Sequence, residues 1–109
     1  MTVQTLAQLE PFTSLTCPDP DREIIGAYAG DLLSWVMGRA EADNAWITIM
    51  SNINIVAVAS LADTACIVLA EGVLPEQNVL DAAQSKGVNI LQSRLPAYET
   101  AALLHEKGI

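Results

Sequence analysis

The side chains that could do chemistry in this chain are few and far apart. His105 is the only histidine, and Cys17 and Cys66 are the only cysteines. A nucleophilic triad needs a base beside its nucleophile, and a closed metal site needs several nitrogen or sulfur ligands at close spacing. One histidine and two separated thiols supply neither, so no catalytic residue and no metal ligand is expected. Carboxylate pairs occur at Asp19 with Asp21 and at Glu41 with Asp43. Both lie in polar, loop-like segments and read as solvated surface. The glycines, at positions 26, 30, 38, 72, 87 and 108, form neither G-x-x-x-x-G-K nor G-x-G-x-x-G. Phosphate cradles need such clusters, so the pattern excludes a phosphate-loop kinase and a standard dinucleotide binder, and no cofactor is expected.

One generic site survives. In open parallel sheets ligands bind beyond the carboxyl ends of the strands, where helix N-termini present unpaired amides that favour anions. The loops placed there are Gly30–Asp31, Ser51–Asn54, Ala70–Gly72 and Gln92–Arg94. Gly30, Asp31, Ser51, Asn52, Asn54, Ser93 and Arg94 are therefore candidates to hold a polar or phosphorylated small molecule such as an adenine nucleotide. The competing reading is that the Asn and Ser side chains only cap helices and turns.

The elements that would position these residues centre on Trp46–Ala70, WITIMSNINIVAVASLADTACIVLA, whose only formal charge is Asp63. It reads as strand Trp46–Met50, helix Asn54–Ala62 and strand Ala65–Leu69. The uninterrupted CIVL run marks a strand covered on both faces. Upstream, residues 2–10 form a short helix ended by Pro11, with Val3, Leu6 and Leu9 on one side. Residues 11–22 hold three prolines and form a loop with a short extended piece at Phe12–Thr16. Glu23–Ala29 is a strand with a bulge at Gly26. Asp31 then caps helix Leu32–Arg39, whose inward stripe is Leu32, Leu33, Val36, Met37 and Ala40. Within the central helix, Val56, Ala59 and either Leu61 or Ala62 face inward. Downstream come helix Glu76–Ser85 with a left-handed cap at Gly87, strand Val88–Leu91, and helix Ala97–Lys107 with Tyr98, Ala101, Ala102 and His105 along one side. Strands alternating with helices at this spacing require right-handed crossovers. The expected fold is one α/β domain of three layers: a mostly parallel sheet of about four strands with helices on both faces.

Composition narrows the partners. With 13 acidic and 5 basic residues the net charge is −8, and the basic residues are scattered. Nucleic-acid binding needs clustered Lys and Arg, so DNA, RNA and anionic membrane are disfavoured. Ser51, Asn52 and Asn54 break the apolar run well short of the ~20 residues a membrane span needs. The first residues lack a basic segment followed by an apolar one, and two unpaired-looking cysteines suit a reducing compartment; a cytoplasmic protein is expected.

Residues 21–37, DREIIGAYAGDLLSWVM, together with WITI and NIVAVASLAD, resemble the DRTGG domain family, which is often labelled HPr-kinase-like. Asp21, Arg22 and Gly26 fall at the family's naming motif. Asp31-Leu32-Leu33-Ser34 with Val36-Met37 matches its next block, and Asn54–Ser60 its third. The resemblance runs from about Thr2 to Ile109. Glu23-Ile24-Ile25 replaces the Thr-Gly-Gly part of the motif, and Asn52-Ile53 stands where members often carry His-Pro. The resemblance implies a domain without assigned chemistry. Such domains occur alone, between nucleotide-sensing CBS domains of some pyrophosphatases, and beside phosphotransacetylase domains. The kinase label comes from the non-catalytic part of HPr kinase, and the missing phosphate loop argues against carrying that activity over. The leading expectation is a non-enzymatic regulatory or protein-interaction module that forms a homodimer, with Leu32, Trp35 and Val36 as the candidate dimer surface, because large aromatics are enriched in interface cores; Trp35 as an ordinary core residue is the equal alternative. The alternative is a small-molecule sensor; a phosphotransferase-related protein is a third and weaker reading.

Overall fold

The CIVL run is the centre of the sheet. In the computed structural model, which describes residues 1–109, Cys66–Leu69 is buried at all four positions. Ten elements follow one another: α1 (Val3–Ala7), β1 (Phe12–Thr16), β2 (Ala27–Ala29), α2 (Leu33–Arg39), β3 (Ala45–Thr48), α3 (Asn54–Ala62), β4 (Cys66–Leu69), α4 (Gln77–Lys86), β5 (Ile90–Ser93) and α5 (Ala97–Glu106). The strands lie in the order β1-β5-β4-β3-β2. β2 to β5 are parallel neighbours, and β1 is antiparallel to β5.

That order fixes the layers. Right-handed crossovers that always step the same way along a sheet leave their helices on one face, here α2, α3 and α4. The terminal helices α1 and α5 cover the other face. Alternation along each strand then feeds two cores. Trp46, Ile67, Leu69 and Ile90 pack with Val36, Ile55, Val56 and Val79 on the three-helix side. Ala45, Ile47, Val68 and Leu91 pack with Val3, Leu6 and Leu104 on the other. This is the expected three-layer α/β architecture, with five strands instead of four.

The fifth strand is β1, where only a short extended piece in a loop was expected. Only its two end residues, Phe12 and Thr16, are buried. Thr16 locks it: its hydroxyl donates to the Val88 carbonyl and accepts from the Ile90 amide. β2 is shorter than the expected Glu23–Ala29, because Gly26 takes φ +81°, a conformation that only glycine adopts freely. β5 starts two residues later than expected. Gly87 ends α4 in the left-handed conformation, and the Val88 amide is still bonded to Ala83 of that helix. α3 matches its expected bounds, but Leu61 is exposed, and Ile55 and Val58 join Val56 and Ala59 on the buried side. In α5 the buried residues are Thr100 and Leu104, whereas Tyr98 is exposed.

The helix-to-strand turns before β3 and β4 repeat one device. Asp43 and Asp63 both take positive φ, 67° and 57°. Behind the second turn, Thr64 Oγ1 is buried without a hydrogen-bond partner. A buried unpaired hydroxyl costs free energy, so Thr64→Val is expected to stabilise the fold by up to about 1 kcal/mol, read as a higher urea midpoint at unchanged slope.

Candidate functional site

Three places in the fold gather residues that could carry function: the carboxyl ends of the parallel strands, the opposite end, and the open side of β2.

At the carboxyl ends, a cleft of about 400 Å³ lies between the loops after β3 and β4, lined by Ser51, Asn52, Ile53, Leu74, Glu76, Asn78 and Val79. Ser51 and Asn52 are thus brought to one cavity. Asn54 stands beside them in the first turn of α3, its amide donating to Asn52 Oδ1 at 2.9 Å. The other candidates go elsewhere. Gly30 serves the sheet: its amide donates to Ile47 O, and its carbonyl accepts from Trp46 Nε1 at 2.8 Å. Asp31 does not cap α2. Leu32 occupies the cap position and makes no side-chain cap bond. The Asp31 carboxylate instead accepts from Thr48 Oγ1 at 2.8 Å and from the Ile49 amide at 3.0 Å. That bond uses the amide β3 would need to continue, which is why β3 stops at Thr48. Ser93 is fully buried and shares a hydrogen bond of 2.8 Å with Thr100 Oγ1. Arg94 pairs with Glu10. Ser93 and Arg94 therefore fasten β5 to its neighbours and do not line the cleft.

The expected dimer surface divides. Val36 is fully buried between α2 and the sheet and cannot reach a partner. Leu32 and Trp35 are exposed, Trp35 by 52%. The Arg39 guanidinium lies 3.8 Å from the centroid of the Trp35 ring, a cation–π contact that covers one face of the indole. Met37, expected inward, is exposed.

At the opposite end of the sheet, Arg22 forms a clamp that the sequence did not reveal. Its Nε donates to Asp43 Oδ1 at 2.9 Å, and its Nη2 donates to both the carbonyl and Oδ1 of Asp63 at 2.7 and 2.8 Å. Burial works against its charge, but the bonds to Asp63 and Asp43 outweigh it, so the guanidinium is held above its ordinary value. The clamp ties the segment before β2 to both left-handed aspartate turns. Asp43, expected as solvated surface, is thereby engaged. The only signal for this in the sequence was the pair of matching segments Asp43-Asn44-Ala45 and Asp63-Thr64-Ala65.

On the open side of β2, a groove of about 290 Å³ runs between the strand and α5, lined by Ala27, Ala29, Ile47, Ala101, Leu104, His105 and Ile109. His105, the one residue in it that could act as a base, has no acidic or nucleophilic partner among those lining residues. No group of three His, Cys, Asp or Glu side chains converges anywhere in the fold.

The thiols are set against reactivity. Burial pushes Cys66 up to about 12 and also raises Cys17. Since the thiolate is the reactive form, a chromogenic thiol reagent at mildly alkaline pH is expected to label Cys17 slowly and Cys66 only after unfolding. Rapid reaction of both thiols in the folded chain would contradict this.

No helix is long and apolar enough to cross a membrane. No curated protein matches the chain. Among solved structures, the regulatory region of Clostridium perfringens pyrophosphatase, comprising CBS and DRTGG domains complexed with the activator diadenosine tetraphosphate, superposes with a TM-score of 0.63 at 11% identity. The match covers 85% of this chain and 40% of that one, and at this identity it speaks for the fold. Residues 24–107 match the family model of the DRTGG domain. That match spans well over half of the chain, and the chain belongs to the DRTGG domain family.

Proposed function

We propose that this chain is a non-catalytic regulatory module that works by pairing with a protein surface, in the first place a second copy of itself. The observation that carries the reading is the open flank of the sheet at β2. There a parallel sheet, which ordinarily needs cover on both faces, leaves Ala27 and Ala29 exposed beside an apolar groove. Helix α2, the next element in the chain, carries exposed Trp35, and its cap residue Leu32 is exposed as well. Exposed apolar surface rimmed by polar residues marks interaction sites. Sedimentation equilibrium from micromolar to millimolar concentration tests the reading. A concentration-dependent dimer is expected, and a monomer throughout would count against self-pairing.

The cleft at the carboxyl ends of the strands favours a second reading, a domain that senses a small molecule. Its size suits a ligand. It presents Glu76 and no Lys or Arg, so its own chemistry suits a neutral or cationic polar group better than a phosphate. The complex of the pyrophosphatase region with diadenosine tetraphosphate puts adenine nucleotides among the compounds to screen. A ligand at 100 times its dissociation constant adds about 2.7 kcal/mol. A thermal-shift screen should therefore show a clear rise for a true ligand, and Asn52→Ala should abolish it. No shift with any nucleotide, amine or polyol would remove this reading.

A further inference from the structure

We propose that the second copy docks edge to edge: β2 pairs antiparallel with β2 of its twin across a two-fold axis at Tyr28, making one continuous ten-stranded sheet. This rests on the self-pairing reading above and gives it a surface and a register.

The edge is built for it. β2 has β3 as its only neighbour. The Ala45 amide donates to Gly26 O, and the Gly30 amide donates to Ile47 O. By alternation, the backbone groups of Gly26, Tyr28 and Gly30 face β3, and those of Ala27 and Ala29 face outward. Exposed edges are normally blunted by charges, prolines or inward-pointing lysines. From Ile24 to Gly30 there is no acidic, basic or proline residue. In a chain of net charge −8, this is a stretch where two copies meet without opposing carboxylates, and like-charge juxtaposition is what penalises wrong pairings.

The sequence of the edge is its own mirror: Gly26-Ala27-Tyr28-Ala29-Gly30 reads the same in both directions. An isologous two-fold contact brings one patch against itself. Centred on Tyr28, it sets Ala27 opposite Ala29 of the twin and Ala29 opposite Ala27. These are the residues whose N–H and C=O groups point outward, so each pair exchanges both bonds as an antiparallel hydrogen-bonded pair does. Ala27 and Ala29 line the α5 groove, so the two grooves join across the axis. Tyr28, on the other face, packs with the three-helix core and meets its twin as the central non-hydrogen-bonded pair.

The test uses the whole chain in a Cys17→Ser background, with Cys66 buried. Hydrogen-bonded pairs sit about 5.5 Å apart between Cα atoms, within disulfide range, whereas diagonal neighbours at roughly 7–8 Å lie beyond it. A mixture of Ala27→Cys and Ala29→Cys chains should therefore cross-link on mild oxidation, and neither variant alone should. Separately, the double variant Ala27→Lys with Ala29→Lys should keep the parent's thermal transition at concentrations where the parent is monomeric and weaken the dimer at least about tenfold. Equal cross-linking by either variant alone, or none in the mixture, overturns the register. A folded lysine variant that dimerises as tightly as the parent overturns the edge while the self-pairing reading stands. A parent chain that stays monomeric at every concentration overturns both.

Discussion

Arg22→Met is expected to destabilise the fold by about 2–3 kcal/mol, the range for losing hydrogen bonds between charged groups. The guanidinium side chain is mostly covered, whereas Asp43 and Asp63 are partly or largely exposed, which keeps the loss below that of a fully buried pair. Three bonds vanish together, to Asp43 Oδ1, Asp63 O and Asp63 Oδ1. The two aspartates sit at positive φ, where non-glycine residues are held only by surrounding contacts, so removing the clamp also loosens the turns that start β3 and β4. The melting temperature should fall by roughly 8–12 °C. Arg22→Lys should recover little, because an ammonium cannot reproduce the planar fork. A variant melting within a degree or two of the parent would show that Arg22 is not a structural clamp.

Asn89→Ala is expected to cost about as much, near 3 kcal/mol. Asn89 is buried at the start of β5 and satisfies three backbone groups. Its Oδ1 accepts from the Asp19 amide at 3.0 Å, and its Nδ2 donates to Asp19 O at 2.8 Å and Ala65 O at 3.0 Å. Truncation strands the buried Ala65 carbonyl away from water and leaves the part-buried Asp19 amide and carbonyl without their partner, a named route to large single-residue effects. The change should appear in the urea midpoint at constant slope, which separates stability from compactness. Asn89→Asp makes the sharper comparison. It keeps the acceptor and loses both donors, so it should be no better than alanine. If it matched the parent, the two donated bonds would carry nothing.

What the sequence made legible was local and apolar. α3 matches its expected bounds, and β4 differs from them by one residue, because an unbroken aliphatic run between polar breaks leaves little choice of period. β1 was hidden because only its end residues Phe12 and Thr16 are buried, and the residues between them include exposed Thr13 and Ser14, which breaks the alternation that marks a strand. In α2, Leu-Ser-Trp-Val-Met is apolar nearly all round, and seven residues make two turns, so periodicity could not choose Val36 for the core over Leu32 or Trp35. Ser93 and Asp31 looked like ligand holders because their side chains suit that task. Their partners, Thr100 and Thr48, lie in other elements. The Arg22 clamp spans 21 and 41 residues, beyond any local pattern. Of the strand-end candidates, Ser51 and Asn52 line one cleft, because a parallel sheet collects its strand-to-helix loops at one end.

Amide hydrogen exchange at Ala27 and Ala29, followed against protein concentration, tests the self-pairing account most directly. Tyr28, whose backbone faces β3, is the internal control. The account predicts that both alanine amides slow toward the Tyr28 rate as the dimer forms and quicken on dilution, with Tyr28 unchanged. Alanine amides that exchange as freely in a dimeric sample as in a dilute one would contradict it.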